Sequence, residues 1–159
     1  MNKLTEAELQ FITDMGMHTQ GYGFSRIAGQ IIAALIISDA PLNTADLMSL
    51  LEISKGSVST NIRFLEMLQL VERRALPGKR QNYFVMRTNP YDSLLELKIK
   101  QHEEAKKIIT EAKASIKNSK AQEKITELER FNTLYDESVK KLLLELKSER
   151  LAMLNSQKN

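Results

Sequence analysis

Lys55, Ser57, Ser59, Thr60, Asn61 and Arg63 fall in one short run, and no acid joins them before Glu66. Hydroxyls, an amide, an ammonium and a guanidinium at this density suit an anionic groove whose floor carries hydrogen-bonding edges. Arg63 has the fork that contacts a guanine edge through two bonds, and Ser57, Ser59 and Thr60 are candidates for the same groove. Lys55, beside a helix N-terminus, suits a phosphate. A second basic group follows at Lys79 and Arg80, placed to reach a sugar-phosphate backbone or a narrow A·T-rich minor groove. Arg73 and Arg74 occupy consecutive strand positions and point to opposite faces, so at most one faces such a ligand. Arg74 is taken as that candidate.

The elements that must hold these groups are legible around them. Ser54 has the short acceptor of an N-cap, and Val58, Ile62, Leu65 and Leu68 recur at helical spacing behind it. Asn43 or Thr44 caps a shorter helix over 45–52, with Leu47, Leu50 and Leu51 on its apolar side. A tight turn joins the two. Residues 70–76 and 81–86 are rich in β-branched and aromatic side chains and read as two strands, and Pro77-Gly78-Lys79-Arg80 is the turn of a hairpin. Helix, turn, helix and basic-tipped hairpin are the order of a winged helix-turn-helix.

Charge is segregated in the same place. Residues 54–87 hold seven bases against two acids, a balance of +5; the other 16 bases and 18 acids leave −2. This is the footprint of a nucleic-acid face. The absence of cysteine rules out disulfides, thiolate zinc sites and a thiol redox sensor,. His18 and His102 are far apart and read as packing or surface residues. Gly21-Tyr22-Gly23 lacks the preceding strand and third glycine of a dinucleotide fingerprint and reads as a loop. No nucleophile-base-acid set, carboxylate pair or phosphate loop stands out, so no catalysis, metal or cofactor is expected. Phe11, Tyr22, Phe24, Phe131 and Tyr135 could line an aromatic cleft for a cation, with core packing the simpler reading.

Elsewhere the chain is helical. Thr5 and Glu8 have capping-box spacing and open a helix to about Met17 or Thr19. Ser25 caps the next, over 26–38, which is apolar on most sides and is expected at the centre of the fold. After Thr88-Asn89-Pro90 the composition becomes that of long charged helices, interrupted weakly at Asn118-Ser119. Leu95, Ile99, His102, Ala105, Ile109, Ala112 and Ile116 mark the first stripe. Ile125, Leu128, Tyr135, Val139, Leu142, Leu146 and Met153 mark the second, on heptad a and d positions with Asn132 and Glu149 as polar intruders. These stripes exceed what one small winged helix can cover, which is most simply a dimerisation device. Three segments are expected: 1–24, an N-terminal helix and loop that supports dimerisation; 25–88, the winged helix-turn-helix; and 89–159, the helical dimerisation region. No apolar run approaches a membrane span and the N-terminus lacks a signal-peptide core, so a cytoplasmic protein is expected.

Three stretches also carry a family resemblance. Gly23 to Leu35 (GFSRIAGQIIAAL), Ile53 to Ser59 (ISKGSVS), and Leu70-Val-Glu-Arg-Arg74 followed by Pro77-Gly-Lys-Arg-Gln-Asn-Tyr83 resemble the GbsR branch of the MarR-like transcriptional regulators. The likeness covers about residues 20–88. It implies a homodimeric winged-helix regulator whose terminal helices form the dimer interface, in a family that controls genes such as those for osmoprotectant uptake, in some cases in response to choline. No effector-binding motif maps onto this chain. The expectation is therefore a mainly α protein with a β-hairpin wing. It would bind a pseudo-palindromic operator in double-stranded DNA as a homodimer, acting as a repressor responsive to a small effector of unknown identity. The alternative is an adaptor that docks proteins on the winged helix and associates through its C-terminal helices.

Overall fold

The computed structural model describes residues 4–156. Positions 1–3 and 157–159, the outer ends of the first and third expected segments, lie outside the described residues. The elements run α1 (Glu6–Gly21), α2 (Arg26–Ile37), β1 (Leu42–Asn43), α3 (Thr44–Leu51), α4 (Lys55–Met67), β2 (Val71–Arg74), β3 (Tyr83–Met86), α5 (Pro90–Ser115) and α6 (Ser119–Ser156). Two compact units divide after Pro90. The N-terminal helix belongs to the same unit as the helix-turn-helix and wing.

In the first unit α2 is the centre. Ser25 caps it by accepting from the Ala28 amide, and Ala28, Ile31, Ala33 and Ala34 are wholly buried. The α1 backbone lies close against it, which the small Gly29 permits: a Cβ there would stand 2.6 Å from the Met15 carbonyl oxygen. The Thr5–Glu8 capping box forms as expected, and α1 continues to Gly21.

Asn43 caps α3, accepting from the Ala45 and Asp46 amides while Asp46 accepts from the Asn43 amide. Glu52 ends that helix in the left-handed region, φ 54°, and turns the chain into α4. Ser54 caps α4 through the Ser57 amide. The stripe Val58, Ile62, Leu65 and Leu68 is buried. Each such side chain is worth about 1.5–3 kcal/mol when fully buried, so together they fix the rotation of α4 about its axis.

The sheet is antiparallel in the order β1-β3-β2. Val71 pairs with Met86 and Arg74 with Tyr83, while Leu42 pairs with Phe84. The expected strands are shorter than their β-rich composition, and residues 75–82 form the wing loop. Proline supplies no ladder donor at position 77. Instead the Lys79 amide donates to Leu76, with Pro77 second and Gly78 (φ 72°) third in the turn,. The two-residue strand β1 has no sequence signal, because alternation cannot be recognised over two positions.

The second unit is the antiparallel pair α5 and α6. Lys147 reaches Glu96 at 2.8 Å and Lys113 pairs with Glu129, so the start of one helix faces the end of the other. Asp92 takes both guanidinium nitrogens of Arg150 at 2.6 and 2.7 Å. That pairing, with burial of the carboxylate opposing it, holds Asp92 below the usual carboxylate range. The expected α6 stripe divides in the single chain: Ile125, Asn132, Val139 and Leu146 lie on its covered side. Val139 and Leu143 are buried, whereas Leu142 and Leu128 are 45% and 48% exposed. A flank of α6 bearing Leu128, Phe131, Leu134 and Leu142 is left exposed.

Candidate nucleic-acid interface

The rotation of α4 decides which side chains its outer face presents. Lys55, Ser59, Thr60 and Arg63 are exposed. Arg63 lies back along the helix, donating from Nε to the Ser59 carbonyl at 3.3 Å and from Nη2 to the Ser59 hydroxyl at 3.4 Å. These bonds are long, so the fork can be re-aimed at a ligand at little cost. Ser57 is half-buried, and its hydroxyl lies 2.9 Å from that of Ser54 at the helix cap. Among the six residues expected on this face, it stands at the margin.

Asn61 departs from the expectation. It is buried in the middle of the apolar stripe. Its amide donates to the Ser57 carbonyl at 2.8 Å, and its Oδ1 accepts from the hydroxyl of Ser25, the cap of α2. It is a strut between two helices. Its spacing was the available signal: three residues after Val58 and four before Leu65, it falls between them on a helix of 3.6 residues per turn.

In the wing, Lys79 and Arg80 are exposed at the loop and, among the described residues, pair with no acid. The two strand arginines do divide between faces. Arg73 turns to α4 and binds Glu66 in a fork, Nε to Oε1 at 2.6 Å and Nη2 to Oε2 at 2.9 Å. That hydrogen bonding raises the affinity of the guanidinium for its proton. Arg74 instead lies at 3.2 Å from Glu72. The neighbour of the outer α4 face is thus Arg73, and both acids of residues 54–87 are occupied by these two arginines. Among the described residues, Lys55, Arg63, Lys79 and Arg80 meet no acid, on one helix face and one loop.

Between α4 and the base of the wing lies a hollow of about 190 Å³, lined by Thr44, Lys55, Ser59, Arg73, Gln81 and Asn82 over a floor of Ile62 and Phe84. Sequence alone offers Thr44 only as a possible cap and gives Gln81 and Asn82 no site role. Their signal was positional: the first residue of α3 and the two residues before β3 converge only once β1 pairs with β3.

The other expected features stand apart from this face. His18 meets Tyr22 edge-on and Phe24 meets Phe64 edge-on, both in the first unit, while His102 stacks on Tyr135 at 4.2 Å in the second. Of the five aromatics that could line a cleft, Phe131 and Tyr135 are neighbours in the second unit, with ring centroids 6.1 Å apart. Among the described residues no cluster of histidine and acidic side chains could hold a metal ion, and no helix is long and apolar enough to cross a membrane.

Comparison with known proteins gives the fold its setting. No family model matches the chain. The HTH-type transcriptional regulator MmpR5 of Mycobacterium tuberculosis (strain ATCC 25618 / H37Rv) is 31% identical over 84 residues, 52% of this chain and 51% of that protein. The chain therefore spans about half the length of the curated relative it matches. Among solved structures, one described as a transcriptional regulator superposes with a TM-score of 0.79 at 21% identity, covering 89% of this chain and 99% of its own. The transcriptional regulator Tm0710 from Thermotoga maritima is a looser neighbour, with a TM-score of 0.43 at 17% identity over 80% of this chain and 87% of its own. The fold, a winged helix-turn-helix, is shared with the first of these structures.

Proposed function

We propose that this chain is a sequence-specific, double-stranded-DNA-binding transcriptional regulator that places α4 in the major groove and the wing loop on the flanking backbone. One observation carries the reading. Both acids of residues 54–87 are bound to strand arginines, while Lys55, Arg63, Lys79 and Arg80 meet no acid among the described residues, on one helix face and one loop. A helix held by a buried stripe on one side and rich in hydroxyl and guanidinium groups on the other meets the geometric needs of major-groove readout. A protein-docking surface has no need of such a charge arrangement.

Finer features belong to the same proposal. A homodimer is supported by the exposed apolar flank of α6, since Leu128, Phe131, Leu134 and Leu142 on one helix are costly to leave in water,. Two-fold symmetry would then match a pseudo-palindromic operator. Response to a small effector has room in a hollow of about 420 Å³ lined by Leu4, Glu8, Ala34, Ile37, Leu42 and Leu50,. Repression, and placement in the GbsR branch, rest on the resemblance of residues 20–88.

The test is the salt dependence of binding to a mixed-sequence duplex. Log affinity should fall linearly with log salt, with a slope of about −0.9 for each phosphate neutralised. A chain that does not retain duplex DNA at low salt would refute the reading.

A further inference from the structure

We propose that the hollow between α4 and the base of the wing is a seat for one backbone phosphodiester of the bound duplex. Thr44, Gln81 and Asn82 would share that phosphate with Lys55. The inference rests on the DNA-binding reading above and adds to it Thr44, Gln81 and Asn82, which belong to neither the outer α4 face nor the wing tip.

The lining is what selects the ligand. Lys55 and Ser59 come from α4, Thr44 from the start of α3, Arg73 from β2, and Gln81 and Asn82 from the end of the wing loop leading into β3. None of these side chains is an acid, and the nearby Glu66 is occupied by Arg73 through two hydrogen bonds. With Arg73 so neutralised, Lys55 supplies the one positive charge that the lining leaves uncompensated. One phosphodiester carries one negative charge. Around it stand hydroxyl and amide donors: Thr44, Ser59, Asn82 and Gln81, the last donating to the Tyr83 hydroxyl at 3.0 Å in the free chain. One uncompensated positive charge in a lining without an acid, over an apolar floor of Ile62 and Phe84, suits an anionic phosphate oxygen, and the hydroxyls and amides around it can turn their donors to the same ligand,.

The location also fits. The hollow lies between the groove-facing helix and the wing, where a strand backbone must pass if both elements touch the same duplex. Occupation would fix the register of α4 before any base is read, because phosphate contacts position the protein without carrying sequence information.

The test uses the full chain and a mixed-sequence duplex across a range of salt concentrations, with thermal midpoints confirming that each variant is folded. Lys55→Ala should reduce the salt slope by about one unit. The Gln81→Ala, Asn82→Ala double variant should weaken binding severalfold with the slope unchanged, because the lost donors are uncharged. Gln81→Glu with Asn82→Asp should weaken it by on the order of tenfold or more, through repulsion of the phosphate. If these variants bind as the wild type does while Lys79→Ala, Arg80→Ala is weakened, the hollow lies off the DNA and this inference fails although the DNA-binding reading stands. If the wild type binds no duplex, both fail. Protection of the free chain by millimolar inorganic phosphate that is lost in Lys55→Ala, together with unaltered duplex binding by the Gln81 and Asn82 variants, would assign the hollow to a free anion and overturn the inference.

Discussion

Glu66 on the outer side of α4 grips Arg73 on β2 through two parallel hydrogen bonds of 2.6 and 2.9 Å. The pair ties the wing to α4 and cancels one positive charge on the face that would meet DNA. Both side chains are partly exposed, at 25% and 46%, so the pair itself contributes under about 1 kcal/mol to stability,. Glu66→Gln should therefore leave the melting transition nearly in place. With Arg73 released, the slope of log duplex affinity against log salt should steepen by up to about one unit. An unchanged slope would place Arg73 away from the duplex.

Arg63 is the residue of α4 best able to read a base. Arg63→Ala should weaken binding to a cognate site by about 1–3 kcal/mol more than to a random duplex, and relax the preference at one base pair in each half-site. Equal losses on cognate and random DNA would make Arg63 a phosphate clamp and move base readout to Ser59 and Thr60.

Self-association is assigned to α6. Replacing Phe131 and Leu142 by glutamate should convert a dimer to a monomer in sedimentation at micromolar concentration. Helix content should be retained, because both side chains are exposed in the single chain. A wild type that sediments as a monomer, or a variant that remains dimeric, would remove this flank from the interface.

The α5–α6 pair should be acid-sensitive. The Asp92 carboxyl is held low by Arg150, so its contribution to stability is present above the unfolded carboxylate value of about 3.9 and is lost as pH falls through the lower folded value,. Thermal midpoints measured from pH 7 down to pH 3 should decline below about pH 4, and Asp92→Asn should flatten that decline. A variant that keeps the full acid dependence would assign it to other carboxylates.

Much of this was written in local sequence. The caps Thr5, Ser25, Asn43 and Ser54 act over three residues, and the stripe Val58, Ile62, Leu65, Leu68 is a single-helix property, so the helices and the rotation of α4 could be read directly. What escaped depends on partners distant in the chain. Asn61 looks like one more polar group for the groove until Ser25, 36 positions earlier, arrives beside it. Arg73 could be told from Arg74 only by knowing which strand face meets Glu66. The hollow lined by Thr44, Gln81 and Asn82 exists only because β1 joins the sheet. Along α6 the apolar pattern does not say which of its positions α5 covers: Val139 is buried, while Leu128 and Leu142 of the same stripe stay exposed.

The central claim is sequence-specific recognition of duplex DNA by α4 and the wing, and selection of bound duplexes from a random pool by the purified full chain tests it most directly. The account predicts enrichment of a two-fold pseudo-palindrome with half-site centres about one helical turn, roughly 34–36 Å, or a multiple apart. An Arg63→Ala chain should lose one conserved base pair from each half. Failure to enrich any sequence above the starting pool, under salt conditions where the chain is folded, would contradict it.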